Sequence, residues 1–373
     1  MIYLDNSATT PVCPKACEAM LKYSNEYFFN PSAIYGYGQK VSSDIDLAKQ
    51  TIANALGVSF LNNIIFTGSA TEANNLALRG AYRKNFGKMI FSMGEHPSVY
   101  NTAQELKKQG VNVVFVNLQP NGQVDYNDLE QKLDSTVSFI SIIHASNETG
   151  AINDLKRISE LKNKYCPNAI FHSDGVQAFG KLKINVEYFG VDLYTISGHK
   201  AFAPKGIGAL YVRDKNLLTP IVFGGGQEYN LRSGTENPSS IMSFKTAVDD
   251  FGNLKQNFEH VLKCNDAFLK QLKNVQVNSN PSINPYVLSL SFKGVNGETL
   301  VHMMEQQDIL ISRGSACSSK KSGNRVLESM GIDNEHILGS VRVSFSKNSD
   351  IEECAFAGKC LNECYIKLLE TLK

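Results

Sequence analysis

The chain has 373 residues, 42% of them apolar, enough for a sizeable buried core and, at about 150 residues per domain, for roughly two domains. Its 37 basic and 36 acidic side chains leave a formal charge of +1, so no global field favours nucleic acid or an acidic membrane surface. The N-terminus, Met1-Ile2-Tyr3-Leu4-Asp5-Asn6, has no basic segment leading into an apolar one, and no run is long and apolar enough to span a bilayer; both features predict a cytoplasmic globule.

In chain order, Pro14–Asn25 reads as a helix and Asn30–Gly38 as a Gly/Tyr-rich loop. Ile64-Ile65-Phe66 reads as a strand that ends in Thr67-Gly68-Ser69 and leads into a helix over Ala70–Arg79. Lys88–Met93 reads as a strand, with a helix starting at Pro97. Further strands are predicted at Val111–Val116 and at Val137–Ile143, which is almost continuously apolar, as a strand buried on both faces should be. Ala169–Phe171, Leu193–Ile196 and Ile207–Val212 complete the set. This β/α alternation predicts an α/β fold with a mostly parallel sheet flanked by helices. After Gly224–Gly226 the texture changes. A long helical stretch, Asn237–Leu272, is followed by strands Tyr286–Phe292, Ile309–Ser312 and Arg342–Phe345 and by helices Glu298–Glu305 and Ile351–Leu372. This part reads as a smaller α+β unit.

Polar clusters fall at the predicted strand ends, where ligands bind in open α/β sheets. Gly68-Ser69-Ala70-Thr71-Glu72 opens a helix whose N-terminal N–H groups suit an anion; the plainer explanation is an ordinary helix cap. Ser197-Gly198-His199-Lys200 brings a lysine out of a buried strand, where a desolvated amine suits Schiff-base chemistry; an average loop lysine would simply be solvated. Asp174 is either a buried carboxylate in need of a cationic partner or a helix N-cap. Glu95-His96-Pro97 offers an imidazole able to stack on a flat ring, although a lone histidine is more often structural. Arg342 could clamp a carboxylate in bidentate fashion or make a surface salt bridge. The eight cysteines are scattered, without a metal-binding spacing, and predict reduced thiols and no metal site. Cys317 stands apart. It sits among small residues in Gly314-Ser315-Ala316-Cys317-Ser318-Ser319, and Arg313, Lys320 and Lys321 make its surroundings basic, which favours a thiolate; an inert exposed thiol is the alternative.

Taken together, these segments resemble the cysteine desulfurase family, in the class V aminotransferase group of fold-type I pyridoxal-phosphate (PLP) enzymes. The match runs from Tyr3-Leu4-Asp5-Asn6-Ser7-Ala8-Thr9-Thr10 to Arg342-Val343-Ser344. Between them lie Ala70-Thr71-Glu72-Ala73-Asn74-Asn75, Glu95-His96, Asn147-Glu148-Thr149-Gly150, His172-Ser173-Asp174 with Gln177, Ser197-Gly198-His199-Lys200, Arg232-Ser233-Gly234-Thr235-Glu236-Asn237 and the Cys317 segment. It departs from the usual pattern at Tyr35, Ser146 and Ala203.

The resemblance implies a large PLP-binding domain over 16–238 and a small domain built from 1–15 and 239–373. It implies that Lys200 bonds the cofactor and shuttles protons, that Asp174 pairs with the pyridinium and Gln177 with the ring oxygen, and that His96 stacks on the ring. Ala70, Thr71, Ser197 and His199 would hold the phosphate, and Thr235 would reach the phosphate of a neighbouring subunit in a homodimer. Asn147 and Arg342 would orient the carboxylate of L-cysteine. Cys317 would take the sulfur as a persulfide and leave L-alanine. The implied partners are a sulfur-acceptor protein, either an iron–sulfur scaffold or a tRNA-thiolation enzyme, with no direct contact to nucleic acid or membrane. A selenocysteine lyase, another small amino-acid PLP transferase and a non-catalytic sulfur-transfer partner are the alternatives.

Overall fold

The structure, a computed structural model, describes residues 1–82, 87–313 and 324–371; Cys317 lies outside the described residues. The first elements are β1 (Ile2–Tyr3), α1 (Pro14–Asn25), α2 (Gly36–Ala55), β2 (Ile64–Thr67), α3 (Ala70–Tyr82), β3 (Lys88–Ser92), α4 (Pro97–Lys108), β4 (Val113–Val116), α5 (Tyr126–Lys132) and β5 (Val137–Ser141). They are followed by α6 (Leu155–Tyr165), β6 (Ile170–Asp174), α7 (Val186–Phe189), β7 (Leu193–Ser197), β8 (Gly208–Val212), α8 (Pro238–Asp249) and α9 (Leu254–Leu269). The rest are β9 (Gln276–Val277), β10 (Val287–Ser291), α10 (Gly297–Glu305), β11 (Ile309–Leu310), α11 (Arg325–Ser329), α12 (Asn334–Leu338), β12 (Ser340–Ser344) and α13 (Ile351–Thr371).

Seven strands form one sheet in the order β2-β8-β7-β6-β5-β3-β4. Neighbours from β4 to β7 pair parallel, whereas β8 runs antiparallel to both β7 and β2. Strands β5, β6, β7 and β8 are buried along their whole length, which explains their nearly unbroken apolar runs: both faces are covered by helices. On one face α2, α5, α6 and α8 contribute Val41, Leu129, Ile158 and Ile241 to the core; on the other α3 and α4 contribute Leu76 and Ala103. A second sheet, β12-β10-β9, is antiparallel and has its own core with α9, α10 and α13. The N-terminal strand β1 pairs with β11, and Asp5 bridges to Ser344, so the first residues are laid along this second unit before the chain enters the large sheet.

Two expectations about local structure are corrected. The Gly/Tyr-rich segment Asn30–Gly38 is not loop throughout: α2 starts at Gly36 and runs for 20 residues. Gly36, Gly38, Ser42, Ser43 and Asp44 weaken helix propensity there, but Val41, Ile45, Ala48 and Ile52 bury one face in the core and decide the outcome. The helical stretch Asn237–Leu272 is two helices. Gly252 adopts φ +70° and Asn253 caps α9 through Lys255 and Gln256 N–H groups, which turns the chain between α8 and α9. Among the described residues, no helix is long and apolar enough to cross a membrane.

Candidate active site

Parallel strands deliver their carboxyl ends to one edge of the sheet, and there the loops enclose a cavity of about 160 Å³. Its wall brings together Ala70, Thr71, His96, Asn147, Asp174, Gln177, Ser197, His199 and Lys200. These nine positions come from five separate strand ends. The walls divide by chemistry into a carboxylate side, an amine side and an anion-binding corner.

Asp174, the last residue of β6, is buried. Asn74 Nδ2 donates to its Oδ2 at 2.8 Å and the Val176 N–H to its Oδ1 at 3.0 Å. Asn74 also donates to Ser98 Oγ at 2.8 Å, and Ser98 Oγ stands 2.8 Å from His96 Nδ1. The Ser98 backbone N–H donates to the same Nδ1 at 3.2 Å. His96 Nδ1 is therefore an acceptor, and a neutral ring carries its proton on Nε2. Burial, first, and then the nearby Lys200 and Arg325 hold the imidazole below its usual pKa, against the pull of Asp174. Gly175 has to lack a side chain, because a Cβ there would sit 2.0 Å from the Tyr194 ring. Tyr194 in turn meets His144 Nδ1 through its hydroxyl at 2.6 Å, and His144 N donates to Asp174 O at 3.0 Å.

On the amine side, Lys200 Nζ donates to the Ser7 carbonyl at 2.8 Å and Gln177 Nε2 donates to that same oxygen at 2.9 Å. Two donors converging on one oxygen mark where a ligand oxygen could be held by both. In the anion-binding corner, Ala70 and Thr71 open α3, whose first N–H groups lack intrahelical partners. Ser197 and His199 line the same cavity. Gly208 on β8 passes behind this turn: a Cβ there would lie 2.7 Å from the Ala70 nitrogen.

Asn147 lines the cavity; Arg342 does not, but it contacts the Asn147 backbone. Arg342 Nη1 donates to Asn147 O and Nη2 to Asp5 Oδ1, each at 2.8 Å. The ion pair with Asp5 is not the exposed one the sequence allowed, because Arg342 is only 4% exposed. Its Nε is buried without a partner among the described residues. Thr235 is not brought to this cavity. It is exposed and lines a separate cavity of about 240 Å³ with Gly68 and Arg232. Cys317 falls in 314–323, whose flanks are both held near the site. Ser312 exchanges backbone hydrogen bonds with Arg342, and Arg325 Nη2 donates to the Glu95 carbonyl beside His96 at 2.6 Å.

Several contributors escaped the sequence reading. Asn74 stands one turn after Ala70 on α3 and could have been found by that spacing. Nothing local pointed to Ser7 or Ser98. Glu95 drew attention only as a neighbour of His96, yet it ties strand ends together. Its Oε1 accepts from Ser92 Oγ at 2.6 Å and from the Ile143 N–H at 2.7 Å, and burial pushes its pKa up to about 8.

The residues fit PLP by the chemistry of their donor set: a buried carboxylate, an amine and an amide N–H aimed at one oxygen, a flat neutral imidazole, and a helix N-terminus with Ser197 and His199 for a phosphate. Residues 2–355 match the aminotransferase class-V family model. The cysteine desulfurase IscS of Rickettsia bellii (strain OSU 85-389) is 36% identical over 374 residues, 96% of this chain and 90% of that protein. A solved structure described as a NifS-like protein matches with a TM-score of 0.92 at 30% identity and covers 98% of this chain and 100% of its own. Another, described as SspA in complex with cysteine, matches with a TM-score of 0.83 at 30% identity, over 94% of this chain and 100% of its own. The chain belongs to the class-V aminotransferase family and, within it, to the cysteine desulfurases.

Two outcomes are expected from this geometry. Gly208→Ala forces the first turn of α3 to shift and weakens PLP binding about tenfold or more, the equivalent of the 1–3 kcal/mol that overpacking costs; equilibrium titration of the cofactor-free protein with PLP measures it. His144 stays neutral down to about pH 4 because it is buried, whereas in the unfolded chain it takes a proton near pH 6.5. Its contribution to stability is therefore lost as pH falls from about 6.5 to about 4. In His144→Gln the unfolding free energy should fall less steeply across that window, by up to about 1.4 kcal/mol per pH unit, as urea titrations at successive pH values would read.

Proposed function

We propose that this chain is a PLP-dependent cysteine desulfurase: it takes the sulfur of L-cysteine onto the Cys317 thiol as a persulfide and releases L-alanine. The observation that carries the reading is the convergence of Lys200, Gln177, Asp174 and His96 on one cavity at the carboxyl edge of the sheet. A similar protein solved in complex with cysteine supports the substrate. Bound PLP supplies an electron-withdrawing ring that weakens bonds at the amino acid's Cα and Cβ.

The chain's own residues do the rest. Lys200 Nζ would hold the cofactor and would take and return a proton at the substrate's Cα. Asp174, braced by Asn74, would pair with the ring nitrogen. Gln177 Nε2 would donate to the ring oxygen, and His96, neutral with its Nδ1 occupied, would stack on the ring. Ala70, Thr71, Ser197 and His199 would hold the phosphate. Asn147 and Arg342 would hold the substrate carboxylate. The Cys317 thiolate attacks the substrate sulfur; the C–S electrons stay on carbon and are protonated there, so cysteine and thiol become alanine and persulfide. Ser312 is held to Arg342 and Arg325 to Glu95 O. The persulfide would then be passed to an acceptor protein in the cytoplasm, an iron–sulfur scaffold or a tRNA-thiolation enzyme, without direct contact to nucleic acid or membrane.

We also propose a homodimer in which Thr235 reaches the partner's phosphate site. Thr235 is exposed and lies outside its own chain's cavity. Large apolar side chains are exposed as well, with Ile34 at 91%, Phe223 at 74% and Phe28 at 65%. Sedimentation equilibrium of the purified protein should give twice the mass of the chain, and a monomer at micromolar concentration would remove this part of the reading. For the chemistry, Lys200→Ala should lower cysteine-dependent alanine formation by at least about 10²–10⁴-fold and abolish the lysine-bound visible band. Cys317→Ala should retain the band and lose persulfide formation. A Cys317→Ala protein that still yields alanine and sulfide at the parental rate would contradict the assignment of the sulfur acceptor.

A further inference from the structure

Lys181 is a buried lysine that the chemistry above does not use. It follows Gln177 by four residues in the turn after β6, and its side chain is 7% exposed. Burial, first, and then two more cations, Lys200 and Arg342, pull its pKa down to about 7. A lysine placed among cations is costly to bury, so what it touches is informative. Its Nζ donates to Gln177 Oε1 at 2.7 Å.

A side-chain amide has two unlike ends: the oxygen only accepts and the nitrogen only donates. With its oxygen bound by Lys181, Gln177 must turn its Nε2 toward the cavity. Nε2 does meet an acceptor there, the Ser7 carbonyl at 2.9 Å, which also receives Lys200 Nζ. Both ends of the amide are thus specified independently, by a donor behind it and an acceptor in front. Rotating it by half a turn would set oxygen against oxygen at Ser7 and, while Lys181 is protonated, donor against donor at Lys181, leaving buried groups unsatisfied.

We propose that Lys181 is a positioning residue: it fixes the Gln177 amide so that an N–H, rather than a carbonyl oxygen, faces the ring oxygen of the cofactor. This inference rests on the reading that the cavity binds PLP. Its consequence is electronic. A donor at the ring oxygen stabilises that oxygen's negative charge, so the cofactor gives up its shared proton more readily. Without the lock the amide can present either end, and the proton is held more tightly.

The test is a pH titration of the visible band of the holoenzyme, with alanine formation as a separate reading. Lys181→Met should raise the midpoint of the band by about 1 pH unit, the size of one lost hydrogen bond. Gln177→Leu should raise it by a similar amount, and the double variant by no more than either alone. Lys181→Arg, which can only donate, should restore the midpoint toward the parental value. If Lys181→Met does not fold, Lys181→Gln takes its place, since its amide can donate or accept and should give an upward shift of smaller size. A parental midpoint in Lys181→Met or in Lys181→Gln, or shifts that add in the double variant, would overturn the role of Lys181. Melting of the cofactor-free variants gives a second reading: a loss of stability with an unchanged midpoint marks a merely structural lysine. Absence of any lysine-bound band in the parental protein would instead defeat the PLP reading, so the two failures are told apart.

Discussion

A carboxylate buried at the end of a strand needs fixed donors in place of the water it has lost. Asp174 meets this constraint with Asn74 on one oxygen and the Val176 N–H on the other. Much of the surrounding architecture follows from supplying those donors. Helix α3 has to start close enough to β6 for Asn74 to reach across. The chain has to turn at Gly175 over the Tyr194 ring, which excludes a side chain there. Tyr194 holds His144, and His144 N supports the backbone of Asp174. Asn74 also donates its second N–H to Ser98 Oγ, which sets the tautomer of His96. The carboxylate and the imidazole are thus oriented by one amide.

The N-terminal arm joins this frame to the second sheet. Asn6 Nδ2 donates to Ser344 O and Ser7 N donates to Ser344 Oγ, so the arm is pinned to β12. The carbonyl of Ser7 then receives Lys200 and Gln177. Arg342, two residues before Ser344 on the same strand, reaches Asp5 and the Asn147 carbonyl. A shift of β12 would therefore be felt on both sides of the cavity, at the proposed cofactor amine and at the proposed carboxylate clamp.

Much of the large sheet was legible in the sequence because its strands are buried on both faces, which writes them as short apolar runs, and because their carboxyl ends carry polar clusters. Helix α2 was hidden by Gly36 and Gly38, and the division between α8 and α9 by a continuous helical pattern that Gly252 interrupts. The antiparallel course of β8 is not a property of its residues at all. Ile207–Val212 would read the same in either direction, and only pairing with β7 and β2 sets it.

The sequence by itself determined the class of fold and singled out the proposed site residues, because periodicity and strand-end chemistry are local properties written in neighbouring residues. Lys200, Asp174, His96 and Gln177 could be singled out on that basis together with the resemblance of ordered motifs. Tertiary structure alone decided how those groups are held: Ser7 against Lys200 across 193 positions, Asn74 against Asp174 across 100, Arg342 against Asp5 across 337. Hydrogen-bond polarity depends on which donor meets which acceptor in space, and no local pattern records that pairing.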